Sequence, residues 1–171
     1  MKATDKAEAA MPQKIPTAQG EIDAISLLTQ DHANVKAMFE QYEELGDRAL
    51  ASKKKLAQKI CIELTKHATA EEEIFYPAVR QASGENEDLI DEATVEHASA
   101  KELIVQILSM EPGDELYDAK IKVLSEQIEH HVKEEEGEMF PKARKAKLDL
   151  VALGEAIEDR KAEIEAPAMP Q

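Results

Sequence analysis

His67-Ala68-Thr69-Ala70-Glu71-Glu72-Glu73-Ile74-Phe75-Tyr76-Pro77 aligns without a gap on His131-Val132-Lys133-Glu134-Glu135-Glu136-Gly137-Glu138-Met139-Phe140-Pro141. In both stretches the histidine is followed by Glu at +4 and +5, an aromatic at +9 and proline at +10. Upstream, Asp31-His32 stands 35 residues before His67, and Glu96-His97 stands 34 before His131. The chain therefore reads as two helical hairpins of one design, related by an approximate twofold axis. Two facing half-sites are what a two-metal centre requires.

The spacing around these stretches predicts the helices. Ile25, Leu28, His32, Val35, Phe39 and Tyr42 recur at steps of three and four, as do Ile90, Ala93, His97, Ala100, Ile104 and Ile107. Leu56, Ile60, Leu64, His67, Glu71 and Ile74 make a third apolar stripe, and Tyr117, Ile121, Leu124, Ile128, His131 and Glu135 a fourth. Four stripes with short polar connections describe an all-α, up-down-up-down antiparallel four-helix bundle. The breaks fall at Gly46-Asp47, at Ser83 to Asn86, at Glu111 to Asp114 and near Lys147 to Asp149. Leu150, Leu153, Ile157 and Ile164 predict an additional short C-terminal helix outside the bundle. The expected organisation is an arm over 1–20, a bundle over 21–147, a helix over 148–165 and a tail over 166–171.

Polar residues on those stripes carry the chemistry. His32, His67, His97 and His131 each take a core position on a different helix, and Glu71 and Glu135 sit one turn after a histidine. A lone histidine on an apolar stripe is ordinarily a hydrogen-bonded core residue. Four at matched register with two carboxylates are another matter, because burying six such groups unpartnered costs several kcal/mol apiece. Residues four apart share a helix face, about 6 Å along the axis, so each His–Glu pair can reach one metal or bridge to a neighbour. Imidazole with carboxylate suits iron, manganese or zinc. His130 lies about 100° round the helix from His131, off the core stripe. Glu72, Glu73, Glu134, Glu136 and Glu138 read as a solvated face. Phe75, Tyr76, Met139 and Phe140 read as core packing, and Pro77 and Pro141 are expected to end or kink their helices.

Composition narrows the class. The 171 residues suffice for one domain with a real core, with 43% hydrophobic and only 4% aromatic residues. The net charge of -15 repels phosphate backbones and anionic lipid, so no nucleic-acid or membrane partner is expected. The one cysteine, Cys61, sits in an apolar run and reads as a buried small hydrophobe. No apolar stretch is long enough to span a membrane and Met1 to Gly20 lacks a signal-peptide core, so cytoplasmic residence is expected. The Glu-x-x-His of ferritin-like di-iron bundles is absent before these histidines, and no His-Glu-x-x-His string occurs.

The repeated pattern of His, then His-x-x-x-Glu, resembles the hemerythrin-like HHE cation-binding family from about Asp23 to Lys147. That resemblance implies a non-haem di-iron centre ligated by His32, His67, Glu71, His97, His131 and Glu135. Both glutamates would bridge two Fe ions, with an oxo or hydroxo group completing the centre. Oxygen-carrying members have a fifth histidine one turn after His97; here that residue is Lys101, and the one a turn before is Ala93. Glu63, one turn before His67, is the candidate substitute ligand. The resemblance implies a protein that binds or senses O2, NO or reactive oxygen species through a small diatomic or peroxide ligand. The alternatives are a peroxide-decomposing enzyme, iron handling in a stress response, and a metal-free acidic adaptor for a basic protein partner. The sequence names no protein partner and leaves catalysis open.

Overall fold

The computed structural model describes residues 22–164. The predicted arm, 1–20, and tail, 166–171, lie outside the described residues. Helix α1 (Ala24–Glu43) starts where the Asp23 carboxylate accepts the Ser26 N–H at 2.7 Å, supplying one of the partners a helix start lacks. After the break at Gly46-Asp47, α2 (Leu50–Ala70) runs through a π-helical turn (Glu71–Phe75) into α3 (Tyr76–Ala82). A 3-10 turn over Gly84–Asn86 leads to α4 (Glu87–Leu108). The fourth rod repeats the second: α5 (Tyr117–Glu134), a π-helical turn (Glu135–Met139) and α6 (Phe140–Lys145). Helix α7 (Leu150–Glu163) follows, capped by Asp149, whose carboxylate accepts the Ala152 N–H at 3.0 Å. The result is an all-α four-helix bundle with one extra helix.

Pro77 and Pro141, expected to end or kink their helices, do not end them: helix continues past each, in α3 and α6. In a regular α-helix each ring would press on the carbonyl four residues back, Glu73 or Gly137, and its missing N–H would leave that carbonyl unpaired. The wider π turn absorbs both conflicts. The N–H of Tyr76 reaches back five residues to the Glu71 carbonyl, and the N–H of Phe140 does the same to Glu135. A π turn inserts one residue and re-aims the side chains that follow it. Both turns begin on the glutamate of the repeat, so Pro77 and Pro141 shape the backbone that carries those carboxylates.

Two apolar clusters fill the bundle. One holds Phe39, Tyr42, Ile60, Cys61, Ile104, Tyr117 and Leu124; the other holds Ile25, Leu28, Phe75, Val79, Ile90, Met139, Phe140 and Ile157. Cys61 is fully buried, and burial pushes its thiol up to about 12, in keeping with a packing role. Helix α7 packs against α1 and α2. It comes close enough that a Cβ on Gly154 would lie 2.8 Å from the Ile22 carbonyl oxygen.

Candidate metal centre

The six residues singled out by the repeat meet in a polar layer between the two apolar clusters. His32, His67, His97 and His131 are 5–9% exposed, Glu135 1% and Glu71 0%. Ligand atoms of His32, His67, Glu71 and Glu135 lie within 4.8 Å of one another, and so do those of Glu71, His97, His131 and Glu135. The two groups share both glutamates. Glu71 Oε1 stands 3.3 Å from His67 Nε2 on its own rod and 3.2 Å from His97 Nε2 on the other hairpin. Glu135 mirrors it, with Oε2 at 3.2 Å from His131 Nε2 and Oε1 at 3.1 Å from His32 Nε2.

Each imidazole is held from behind by a carboxylate. His67 Nδ1 donates to Asp31 at 2.8 Å, and His131 Nδ1 donates to Glu96 at 2.7 Å. His97 Nδ1 donates to Glu72 at 2.7 Å, and His32 Nδ1 donates to Glu136 at 2.7 Å. These bonds orient the rings so that every Nε2 is turned toward the centre, where it can ligate once deprotonated; metal-binding histidines are ordinarily supported in this way. Glu72 and Glu136 thus do more than face solvent, which corrects the sequence reading. The signal was present in the dipeptides: Asp31-His32 and Glu96-His97 precede two histidines, and Glu71-Glu72 and Glu135-Glu136 follow the others.

Tyr76 is a second correction. It is buried, as expected of packing, but its hydroxyl, with one proton to give, lies 3.1 Å from Glu71 Oε1 and closer still to Glu135 Oε2. The same oxygen lies 3.4 Å from His97 Nε2 and 3.5 Å from His131 Nε2. The repeat pairs Tyr76 with Phe140, so a lone hydroxyl at +9 was the only hint. Glu63 is half-buried and joins neither group of ligand atoms. Lys101 takes the fifth-histidine position and points outward, its Nζ 2.6 Å from Glu72 Oε1. His130 lies off the core with a side chain 67% exposed, where it approaches Glu96 and Glu134.

Burial opposes charge on all six groups, yet their mutual attraction prevails. His131 is raised to about 9: burial would lower it, but Glu135, Glu71 and Glu96 favour the imidazolium. His67 is raised well above the usual value against the same burial cost, by Glu71 and Asp31. Glu135, although buried, is held well below the usual carboxylate range by His131 and His32. In the metal-free chain, protons on the imidazoles balance the two carboxylates. Protons do so incompletely: Glu71 Oε2 is buried without a hydrogen-bond partner, and His32 Nε2, His67 Nε2 and Glu135 Oε1 have only the 3.1–3.3 Å contacts described above, none of them a well-aligned hydrogen bond. Their four residues form one of the two groups whose ligand atoms lie within 4.8 Å of one another. A cation there would satisfy every one of them, so the residues fit a metal.

Beside the imidazoles lies a cavity of about 30 Å³ walled by apolar side chains that include Val35, Leu64, Ile104, Ile128 and Val132. It has room for a ligand of two or three heavy atoms.

A helical bundle with a buried layer of histidines and shared glutamates defines a cation-binding protein. Residues 23–143 match the Hemerythrin HHE cation binding domain, and the chain belongs to that family. It is similar in fold to a Hemerythrin HHE cation binding domain-containing protein from Mycobacterium kansasii, seen in a crystal structure. That likeness has a TM-score of 0.70 at 24% identity and covers 83% of this chain and 86% of that one. The chain is also 29% identical over 120 residues to a DNA nickase from Nostoc sp., covering 69% of this chain and spanning 32% of that protein's length. Among the described residues, no helix is long and apolar enough to cross a membrane.

Proposed function

We propose that the protein holds two iron ions in this centre and uses them to bind or sense dioxygen, nitric oxide or a reactive oxygen species. The reading rests above all on two four-residue groups that share Glu71 and Glu135, with their buried unpartnered atoms converging. His32 and His67 would hold one ion, His97 and His131 the other, and the two glutamates would bridge them. Iron, once bound, supplies Lewis acidity, redox chemistry and open coordination positions for a small ligand. The chain's own contribution is to orient the imidazoles through Asp31, Glu72, Glu96 and Glu136, to exclude bulk water, and to keep an apolar cavity beside the site. Cytoplasmic residence and a role in an oxidative or nitrosative stress response complete the proposal.

Elemental analysis with a near-ultraviolet and visible spectrum, on protein purified with iron available, tests it. Two irons per chain with oxo-to-iron charge-transfer bands are expected. A colourless chain that takes up no metal on reconstitution would leave the six residues structural.

One observation favours a second, enzymatic reading, in which the same centre decomposes hydrogen peroxide. Tyr76 places a hydroxyl proton among the ligand atoms of one group, beside both glutamates. Sustained oxygen evolution from peroxide would select this reading; an adduct that accumulates without turnover would select binding or sensing. DNA nicking is not part of the proposal. The chain spans only 32% of the nickase, and its charge of -15 opposes a phosphate backbone.

A further inference from the structure

The ligand residues are buried, so a small ligand must pass between side chains to reach them, and the two faces of the bundle differ in what lines that passage. On the face between α2 and α4, Lys101 lines the inner cavity and its Nζ is fastened to Glu72 at 2.6 Å. The repeat places Lys36 and Glu136 at the equivalent positions on the face between α1 and α5. There Lys36 is exposed and forms no ion pair among the described residues, and Glu136 holds His32 instead.

The α1/α5 face carries a groove of about 440 Å³ running from Glu43 to Glu136. Three residues line both this groove and the inner cavity: His32, Ile128 and Val132. His32 is pinned at Nδ1, whereas Ile128 and Val132 are half-buried aliphatic side chains one turn apart on α5. A partition made of two aliphatic side chains opens by rotamer motion alone, on the ps–ns to μs scale of such changes.

Building on the di-iron reading, we propose that Ile128 and Val132 form the gate through which a small neutral ligand passes from the α1/α5 groove to the centre. The groove selects for neutrality. Its rim carries Glu40, Glu43, Glu129 and Glu136 against Lys36 and Lys133, a net negative mouth that repels anions. The apolar inner cavity then admits molecules of two or three heavy atoms without a compensating cation.

The test uses the full chain with Val132→Phe, which narrows the gate, and Ile128→Ala, which widens it. Iron content and helical circular dichroism are measured first for each protein. Nitric oxide binding to the reduced, iron-loaded chain is then followed by stopped-flow absorbance. Association is expected to slow about tenfold in Val132→Phe and to quicken several-fold in Ile128→Ala, with iron content unchanged. A second readout needs no iron: dissolved dioxygen speeds the relaxation of nearby methyl groups in nuclear magnetic resonance. In the metal-free chain its effect on the Val35 and Ile104 methyls should fall with Val132→Phe and rise with Ile128→Ala. Rates within twofold of the unsubstituted chain in both variants, with dioxygen contact at Val35 and Ile104 unaltered, would overturn the gate. Failure to load iron would instead strike the di-iron reading and leave the methyl experiment to decide the gate.

Discussion

The two half-sites share one plan and differ in detail. In each, a histidine from the first helix of a hairpin and one from the second meet a glutamate from each hairpin, and every imidazole leans on a carboxylate. Around His97 and His131 stands the Tyr76 hydroxyl; around His32 and His67 the equivalent ring is Phe140, stacked on His32 with centroids 5.9 Å apart. Besides the two side-chain amide atoms of Asn86, the buried atoms without a hydrogen-bond partner are His32 Nε2, His67 Nε2, Glu71 Oε2 and Glu135 Oε1, and both histidines belong to the Phe140 half. One hydroxyl therefore reaches the His97 and His131 half, while at the other half no hydroxyl stands beside His32 and His67. Symmetry supplies two places for an ion, and the Tyr–Phe difference makes them chemically unequal.

The largest effect should come from what the halves share. Glu71→Ala or Glu135→Ala removes a carboxylate that reaches both groups, so either change should cost both ions. Elemental analysis is expected to show well under one iron per chain in each variant. Two tightly held irons in either one would sink the bridging assignment and with it the equivalence of the halves.

Next come the carboxylates behind the imidazoles. Asp31→Asn loosens His67 and Glu96→Gln loosens His131, each lowering metal affinity by roughly 10–100-fold. Each variant should affect one ion more than the other, which a titration resolved into two steps would reveal. Equal loss of both ions from one such change would mean that the halves do not bind separately.

Tyr76→Phe makes the halves alike. In the metal-free chain it strips the single hydroxyl that two buried carboxylates share, and stability should fall by roughly 1–3 kcal/mol in urea unfolding. Metal-loaded protein should lose much less, because the cation satisfies the same oxygens. An equal loss with and without metal would place Tyr76 in simple packing.

The pH dependence follows from signs. His131 is raised to about 9 in the folded chain, so its protonated form adds stability that is full below its unfolded value near 6.5. That contribution disappears as pH climbs through about 9. Asp31, although buried, is lowered to about 2 by His67 and Lys161; its contribution is present above about 3.8 and is lost as pH falls through about 2. A metal competes with the imidazole proton, so metal affinity should rise across the window in which metal-free stability falls. Thermal unfolding with and without iron between pH 6 and 10 checks both slopes.

Most of this plan was legible because a repeat is a strong signal. Stripes of spacing three and four fixed the helices, and two copies of His-x-x-x-Glu fixed the six central residues. The π turns were not legible, because a proline inside a helical pattern signals a break or kink by local rules. Glu72 and Glu136 were read as solvated since they follow the core glutamate by one position, about 100° round a regular helix. The π turn re-aims that part of the rod, and both residues reach inward to histidines on other helices. Tyr76 was hidden for another reason: a buried ring carries no mark of where its hydroxyl ends.

The smallest expected effect concerns the extra helix, which meets only one half. Lys161 of α7 places its Nζ 2.7 Å from both oxygens of Asp31, the carboxylate behind His67. Its counterpart Glu96 faces His130 and Glu134 instead of a lysine. Asp31 is therefore held by a lysine as well as by His67, and Glu96 by His131 with the exposed His130 3.5 Å away. Lys161→Met keeps the stem and removes the charge, and should lower stability by roughly 1 kcal/mol, since the pair is partly shielded from water. The change should weaken metal binding at the His67 half and leave the His131 half untouched, so the two steps of the titration would move apart. Movement of both steps together would mean that α7 steadies the bundle as a whole, and that its lysine does not tune one half-site.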